Sequence, residues 1–333
     1  MKSTKTPALR ILLILTACSL WAEPMVTIRD LGVSGEATAI NELGWVVGYG
    51  LSGHAFLWTE QSGALDLGSL GGFSSGARDI NERGQVVGTS ETSSFQWRAF
   101  FWTAQGGMID LGTLGGDFSS AADINEQGQV VGYSRTPSGE FHPFLWTPGQ
   151  GMRDLGTLWG ACQAYKINNF GHVVGVCDTS PGVWHGFLWT PRNGMIDLGT
   201  LGGGSSVAYD INDRGQVVGW YYMSSQNGGC ARAFVWTAQE GMKDLGTLGG
   251  LVSSAWAINA RGEVVGYSET ATPGRYHAFL WTKESGMINL GTLGGGLFSV
   301  AQGINERGQV FGSTDTLSGP SSFLWTARDG MIA

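Results

Sequence analysis

Charge is scarce in this chain of 333 residues. Asp, Glu, Lys and Arg make up 14% of it, against roughly 25% in an average soluble domain. Proline numbers only 9 and cysteine only 4. Each scarcity excludes something. Disordered chains are rich in charge and poor in aromatics, whereas Trp, Phe and Tyr reach 11% here and apolar residues 42%, enough to fill a core. So few prolines, with no three-residue glycine register, exclude collagen. Beyond the first twenty residues, no apolar run approaches the ~20 residues that span a bilayer.

Cations, 19, are fewer than the 27 anions, and three of them stand at the amino terminus. Lys2, Lys5 and Arg10 precede an apolar run from Ile11 to Leu20, and no acidic residue appears before Glu23. This is the plan of a secretory signal peptide. Cleavage after Ala22 would make residues 1–22 the signal. Leu15-Thr16-Ala17-Cys18 also reads as a lipobox, which would make 1–17 a lipoprotein signal and Cys18 a lipidated first residue. Either way the protein is expected outside the cytoplasm, secreted or periplasmic, or held at the surface or outer membrane through Cys18 and by no other membrane attachment. Without the signal, 16 Lys and Arg face 27 Asp and Glu, a net charge of −11. A nucleic-acid binder needs a cationic footprint, so nucleic acid is set aside as a partner. No Lys follows a Gly as a P-loop requires, and the five His show no His-Glu-x-x-His or paired metal spacing. No cofactor and no metal are expected.

What is abundant is glycine, 55 residues, and its cause is repetition. One unit reads Asp110-Leu-Gly-Thr-Leu-Gly-Gly116, Ser120-Ala-Ala-Asp-Ile-Asn125, Gly128-Gln-Val-Val-Gly-Tyr133, His142-Pro-Phe-Leu-Trp-Thr147 and Gly151-Met152. The Ile-Asn element recurs at Asn41, Asn81, Asn125, Asn168, Asn212, Asn259 and Asn305. The Phe-x-Trp element recurs at Trp58, Trp102, Trp146, Trp189, Trp236, Trp281 and Trp325. Each unit reads as four short strands, rich in β-branched and aromatic residues and punctuated by Asn, Gly and Ser turns. Four strands every ~45 residues is the spacing of propeller blades. Residues 26–333 are therefore expected to form one all-β domain, a seven-bladed β-propeller of four-stranded blades. The chain ends at Gly330-Met331-Ile332-Ala333, and the amino-terminal strand Val26 to Gly32 is expected to complete the last blade, leaving no open edge.

The units, with His54-Ala-Phe-Leu-Trp58 and His277-Ala-Phe-Leu-Trp281 beside Asp-Leu-Gly-Thr-Leu-Gly-Gly, resemble the HAF-type extracellular repeats of bacteria over residues ~28 to 332. The strand pattern is also similar to WD40 and kelch blades. The resemblance implies an extracytoplasmic protein and no particular activity. The sequence departs from it where Arg98 and Arg232 replace His, where Pro143 and Gly186 follow His142 and His185, and where Ser321-Ser322 precede Phe323, so the His is not a fixed catalytic group.

Residues that recur in every blade are scaffold, and residues that break the repeat are where function is sought. The recurrent Asp30, Asp66, Asp110, Asp154, Asp197 and Asp244, with Asn289 in the same place, are expected to make structural hydrogen bonds, and the Trp residues to pack between blades. Cys162 and Cys177 are equidistant from the centre of the turn Asn168 to Gly171, where another unit has Ser119 and Ser134. Opposed on antiparallel strands of an exported protein, they are expected to form a disulfide, leaving Cys230 unpaired. Loop length varies between the second and third strands, and variable loops carry function. The candidate ligand-binding residues there are Trp97, Arg98, Phe141, His142, Trp184, His185, Tyr221, Tyr222, Arg232, Tyr276 and His277. Tyr165, Tyr209 and Trp256 on the first strands are alternatives that could fill the centre of the propeller. The expected function is a monomeric, non-enzymatic module that binds a carbohydrate or a protein. The alternative is an extracellular polysaccharide hydrolase or lyase using Glu91, Glu140, Asp178 and Glu269, which rests on fold analogy alone.

Overall fold

The protein, as a computed structural model, is described over residues 31, 34–50, 52–223 and 229–332. The export segment, Cys18, Asp30 and, Leu31 apart, the strand expected at 26–32 lie outside the described residues. Among the described residues, twenty-eight strands form seven sheets of four, and in each sheet the strands run in sequence order. The fold is the expected all-β, seven-bladed propeller, with no helix among the described residues. Blades 1 to 7 span 35–66, 71–110, 119–154, 162–197, 206–244, 249–291 and 299–332. The fourth strand of blade 7 is the chain's own Gly330–Ile332, paired with Leu324, Trp325 and Thr326. The chain divides into two compact units. Residues 1–139 with 144–154 hold blades 1 to 3, and residues 140–143 with 155–333 hold blades 4 to 7.

Period-two alternation gives each strand two packing faces. In the first unit, Val86 and Phe100 of blade 2 pack with Val47, Leu57 and Leu67 of blade 1. The alternate residues Val87, Ala99 and Phe101 face Ala121, Ile124, Val130 and Phe144 of blade 3. The recurrent Phe is the deepest side chain, at 0% exposure for Phe100, Phe234 and Phe279, and each such burial stabilises by about 1.5–3 kcal/mol. Trp102 and Trp281 lie in the interblade clusters, as the repeat implied.

Three recurrent polar groups join blade to blade. The Asn of Ile-Asn is buried and works twice. In blade 2, Asn81 Oδ1 accepts the N–H groups of Arg83 and Gln85, both at 3.1 Å, closing its own hairpin. Its Nδ2 donates to the Asn125 carbonyl of the next blade at 3.0 Å. In the second unit the same relay runs from Asn168 to Asn212, Asn259 and Asn305 at 3.0, 2.9 and 3.1 Å. The adjoining turn acid adds a further link, as when Glu82 N–H donates to Glu126 Oε1 at 3.0 Å. A Ser on the first strand of blades 2, 3, 5, 6 and 7 is the third group, while blade 1 has Gly35 in its place. Ser253 Oγ accepts the Ala233 N–H of the preceding blade at 2.9 Å and donates to the Gly246 carbonyl at 2.7 Å. Ser75, Ser119, Ser206 and Ser299 do the same.

The first strand also bulges. In blade 6 the register slips between Ala255 and Ala257, so Trp256 stands alone against the neighbouring strand. The bulge presses the Ser254 carbonyl to 2.0 Å from where a Cβ on Gly266 would stand, and only glycine fits there. The Val-Val-Gly glycine thus answers the bulge, while hairpin glycines such as Gly128 adopt a positive φ of 75°.

Blade 4 departs from this plan. Cys162 and Cys177 take the places of the stitching serines, opposite each other in register, and form the expected disulfide with a Cα–Cα distance of 4.1 Å. At the position whose N–H such a Ser would accept, the preceding strand has Pro143, which has no N–H to give. The serine's hydrogen bond is therefore not made at Cys162, and the disulfide instead links the first and second strands within blade 4. Among the described residues, Cys230 is the free cysteine.

Candidate functional site

The bulge lifts one residue per blade out of the pairing, and in blades 4, 5 and 6 that residue is aromatic: Tyr165, Tyr209 and Trp256. They belong to a run of rings in the second unit. Tyr165 lies 6.1 Å from Tyr209, whose hydroxyl accepts from Trp220 Nε1 at 3.1 Å. Trp256 meets Tyr267 edge-on at 5.8 Å, Tyr267 meets Tyr276 at 6.1 Å, and Tyr276 stacks on Phe298 at 5.7 Å with the planes 9° apart. Burial, with Tyr209 and Tyr276 nearby, raises the Tyr267 hydroxyl above its ordinary pKa.

Beside Tyr165 this face opens into a hollow of about 280 Å³ walled by Trp184, Val176, Val207 and Ala161, with Asp178 and Gln163 as its polar groups. Asp178 and Trp184 are cross-strand partners, so both side chains point to the same face. Trp184 is 47% exposed. At the position of Asp178 other blades carry Glu91, Glu269 and Asp315. Those carboxylates are occupied by backbone N–H groups of the incoming linker: Phe73 to Glu91 at 2.9 Å, Leu251 to Glu269 at 2.8 Å, and Phe298 and Leu297 to Asp315 at 2.8 and 3.0 Å. These hydrogen bonds, led by that from Phe298, hold the Asp315 carboxyl below its ordinary pKa despite the opposing effect of desolvation. Counted from its Asp to the place of the stitching Ser, the linker into blade 4 is one residue shorter, Asp154 to Cys162 against Asp244 to Ser253. Its main chain meets Asp178 through backbone alone, Asp178 N–H donating to Ala161 O at 2.9 Å, and the carboxylate takes no hydrogen bond among the described residues. The acid that elsewhere ties down the linker is here left facing the hollow.

The other expected ligand residues separate into two groups. Trp97 begins a third strand and Tyr222 lies near the end of a second one with faces accessible, at 39% and 41%, while Tyr276 is half-buried against Phe298. Phe141 is half-buried at the same position. The basic residues instead brace the third strand to the fourth. His54 and His185 contact Asp66 and Asp197 at 3.1 and 2.9 Å, His277 contacts Asn289 at 3.0 Å, and Arg232 pairs with Asp244 at 2.9 Å. Arg98 lies 4.0 Å from Asp110 and also donates to the Asp117 carbonyl. His142 lies 3.9 Å from Glu140. The recurrent acid also accepts the N–H two residues on, at 2.8 Å from Gly68 and 2.7 Å from Gly112, the structural role expected of it. For Asp66, desolvation opposes ionisation, but the Gly68 and His54 hydrogen bonds outweigh it and lower the pKa. Tyr221 is 3% exposed. Its hydroxyl donates to Asp244 at 3.2 Å, and desolvation together with that anion pushes its pKa up to about 12.

Two short windows have catalytic spacing but no catalytic geometry. Gly72-Phe-Ser-Ser-Gly76 has Gly-x-Ser-x-Gly spacing, yet it lies within the extended strand Gly71–Ile80, not at a strand-to-helix elbow. Gly48 to Gly53 has Gly-x-Gly-x-x-Gly spacing, but it runs from a second strand toward a third, with no helix to receive a phosphate. Among the described residues no three His, Cys, Asp or Glu gather where a metal would be held, and no helix is long and apolar enough to cross a membrane.

Residues 202–294 match a family model described as "Protein of unknown function (DUF3466)". No curated protein matches the chain. Among solved structures, a prolyl endopeptidase is similar over 91% of this chain and 50% of its own, with a TM-score of 0.61 and 10% identity. A puromycin hydrolase is similar over 90% of this chain and 53% of its own, at 0.50 and 12%. TolB from Acinetobacter baumannii is similar over 77% and 64%, at 0.43 and 11%. The chain spans about half the length of the first and second of these proteins, and the likeness is one of fold.

Proposed function

We propose that this chain is an exported, monomeric, non-enzymatic binding module of the HAF-repeat type, which holds an uncharged carbohydrate in the blade 4 hollow. The carrying observation is the pairing of Trp184 with an Asp178 carboxylate released from its linker role. A sugar ring has an apolar face of C–H groups that packs on an aromatic ring, and its hydroxyls donate to a carboxylate and exchange hydrogen bonds with an amide such as Gln163. A volume near the lower end of the ~300–1,000 Å³ of small-molecule sites suits one ring of a longer chain. The rings from Tyr165 to Tyr209 give the adjoining residues of such a chain a surface to lie on. The Cys162–Cys177 disulfide supports the exported location, because disulfides persist in oxidising compartments.

The test is a glycan array followed by calorimetric titration of the strongest uncharged oligosaccharide. Trp184→Ala and Asp178→Asn should each weaken binding roughly tenfold or more, with unchanged circular dichroism. An array with no uncharged-glycan signal defeats the reading, as does full binding by a folded Trp184→Ala protein.

A further inference from the structure

The larger hollow of the second unit lies on the opposite side of its blades, among the turns whose length hardly varies. It measures about 1020 Å³ and runs across blades 4, 5 and 6 between their first hairpins and their third-to-fourth-strand turns. Arg192, Arg214, Lys243, Arg261 and Lys283 line it, against the carboxylates of Glu240, Glu263 and Glu284. In a chain with a net charge of −8, five of 19 Lys and Arg are gathered in one hollow.

Arg214 and Arg261 recur as Arg83 and Arg307 in other hairpins, but Arg192 and Lys243 break the repeat. The turn Pro191-Arg192-Asn193 answers to Ala104-Gln105-Gly106 in blade 2, and Lys243 stands where blades 2, 4 and 6 have Ile109, Ile196 and Ile288. The acids are partly spent. Glu263 Oε2 accepts from Asn259 Nδ2 and Arg261 Nη2, both at 2.6 Å, and Glu240 lies 3.7 Å from Lys283. Arg192 and Lys243 are exposed and make no ion pair among the described residues. His172 at the same wall is pushed below its ordinary pKa by burial and is neutral at pH 7. The hollow therefore carries a net positive charge.

Recognition here draws chiefly on side chains, since five main-chain donors of these turns are already bonded. The N–H groups of Asn193, Glu240 and Ser285 donate to Thr190, Thr237 and Thr282 hydroxyls at 3.0 Å. Those of Arg214 and Arg261 donate to Asn212 and Asn259 Oδ1 at 3.0 and 3.1 Å. These five N–H groups are not open to a peptide that reads the backbone. A chain bearing carboxylates and hydroxyls finds guanidinium forks, the amides of Asn193 and Gln239, and a ring face in Phe170, which is 65% exposed. We infer that this hollow binds an acidic oligosaccharide, with Arg192 and Lys243 as its unpaired anion-binding groups. This site is separate from the blade 4 hollow and does not depend on the reading of it.

The test is calorimetric titration of the full chain with an α-1,4-linked galacturonate hexamer, with maltohexaose and a glutamate hexapeptide as counterparts. The galacturonate hexamer should bind, and more weakly as salt rises from 50 to 300 mM. The double variant Arg192→Gln with Lys243→Gln should lose affinity by roughly a hundredfold with an unchanged melting curve. The inference is overturned by no binding of the galacturonate hexamer, by equal binding of maltohexaose or the glutamate hexapeptide, or by a folded double variant that binds like the parent.

Discussion

Blades 4 and 6 belong to the same compact unit and place the same strands in the same register, yet they solve two local problems differently. Blade 6 opposes Ser253 to Ser268, and Ser253 receives the N–H of Ala233 from the blade before. Blade 4 opposes Cys162 to Cys177, after a strand in which Pro143 has no N–H to send. Blade 6 uses Glu269 to hold the incoming linker at Leu251, whereas blade 4, with its shorter linker, leaves the Asp178 carboxylate to the hollow. The candidate site therefore sits where the repeat is broken, in the blade that carries the disulfide.

The largest expected effect is shared by both blades. Gly175→Ala and Gly266→Ala would each place a Cβ 2.0 Å from a backbone oxygen of the bulged strand. Each should cost about 4 kcal/mol or more, or prevent folding. A mild loss in one blade alone, measured by urea denaturation, would mean that the two bulges are not equivalent.

Next comes the disulfide, whose sequence separation is 15 residues. The double variant Cys162→Ser with Cys177→Ser should lose about 3 kcal/mol. Adding Pro143→Ala restores a donor N–H and should recover about 1 kcal/mol. If the triple variant gains nothing over the double one in urea melts, Pro143 and the disulfide are unrelated.

Ser253→Ala in blade 6 leaves the buried Ala233 N–H and Gly246 carbonyl without partners and should cost about 1–3 kcal/mol.

The smallest effect concerns Tyr221, which in blade 5 occupies the place of Cys177 and Ser268. A tyrosine whose folded pKa is raised keeps its proton in the native state after the unfolded chain has lost it. Its contribution is therefore complete below about pH 10 and falls as pH rises toward about 12. Thermal melts should show stability declining through that window, and Tyr221→Phe should flatten the decline. An unchanged slope would remove Tyr221 as its source.

Much of this was legible in the sequence because it repeats. The Ile-Asn and Phe-x-Trp elements, counted in the chain, gave the number of blades, and the equal spacing of Cys162 and Cys177 about their turn gave the disulfide. The structural role of the recurrent Asp followed from its recurrence. Less legible was the division among the eleven expected ligand residues. Trp97 and Trp184 present their rings, while His185 and Arg232 look inward to Asp197 and Asp244 and Tyr221 is buried. Strand alternation cannot tell these apart, since a neighbour in the next strand decides which way a basic side chain turns. Asp178 looked like one loop acid among four, because the occupation of Glu91 and Glu269 by linker N–H groups appears only when the chain is folded.

By itself, then, the sequence determined the β-propeller, its period and its covalent link, since these depend on residue types recurring at fixed spacing. The tertiary structure decided which departures from the repeat meet. The bulge that turns Tyr165 out of its sheet, the short linker that leaves Asp178 facing the hollow, and the convergence of Arg192, Lys243 and their neighbours from turns on three blades all depend on contacts between segments tens of residues apart, which spacing along the chain does not encode.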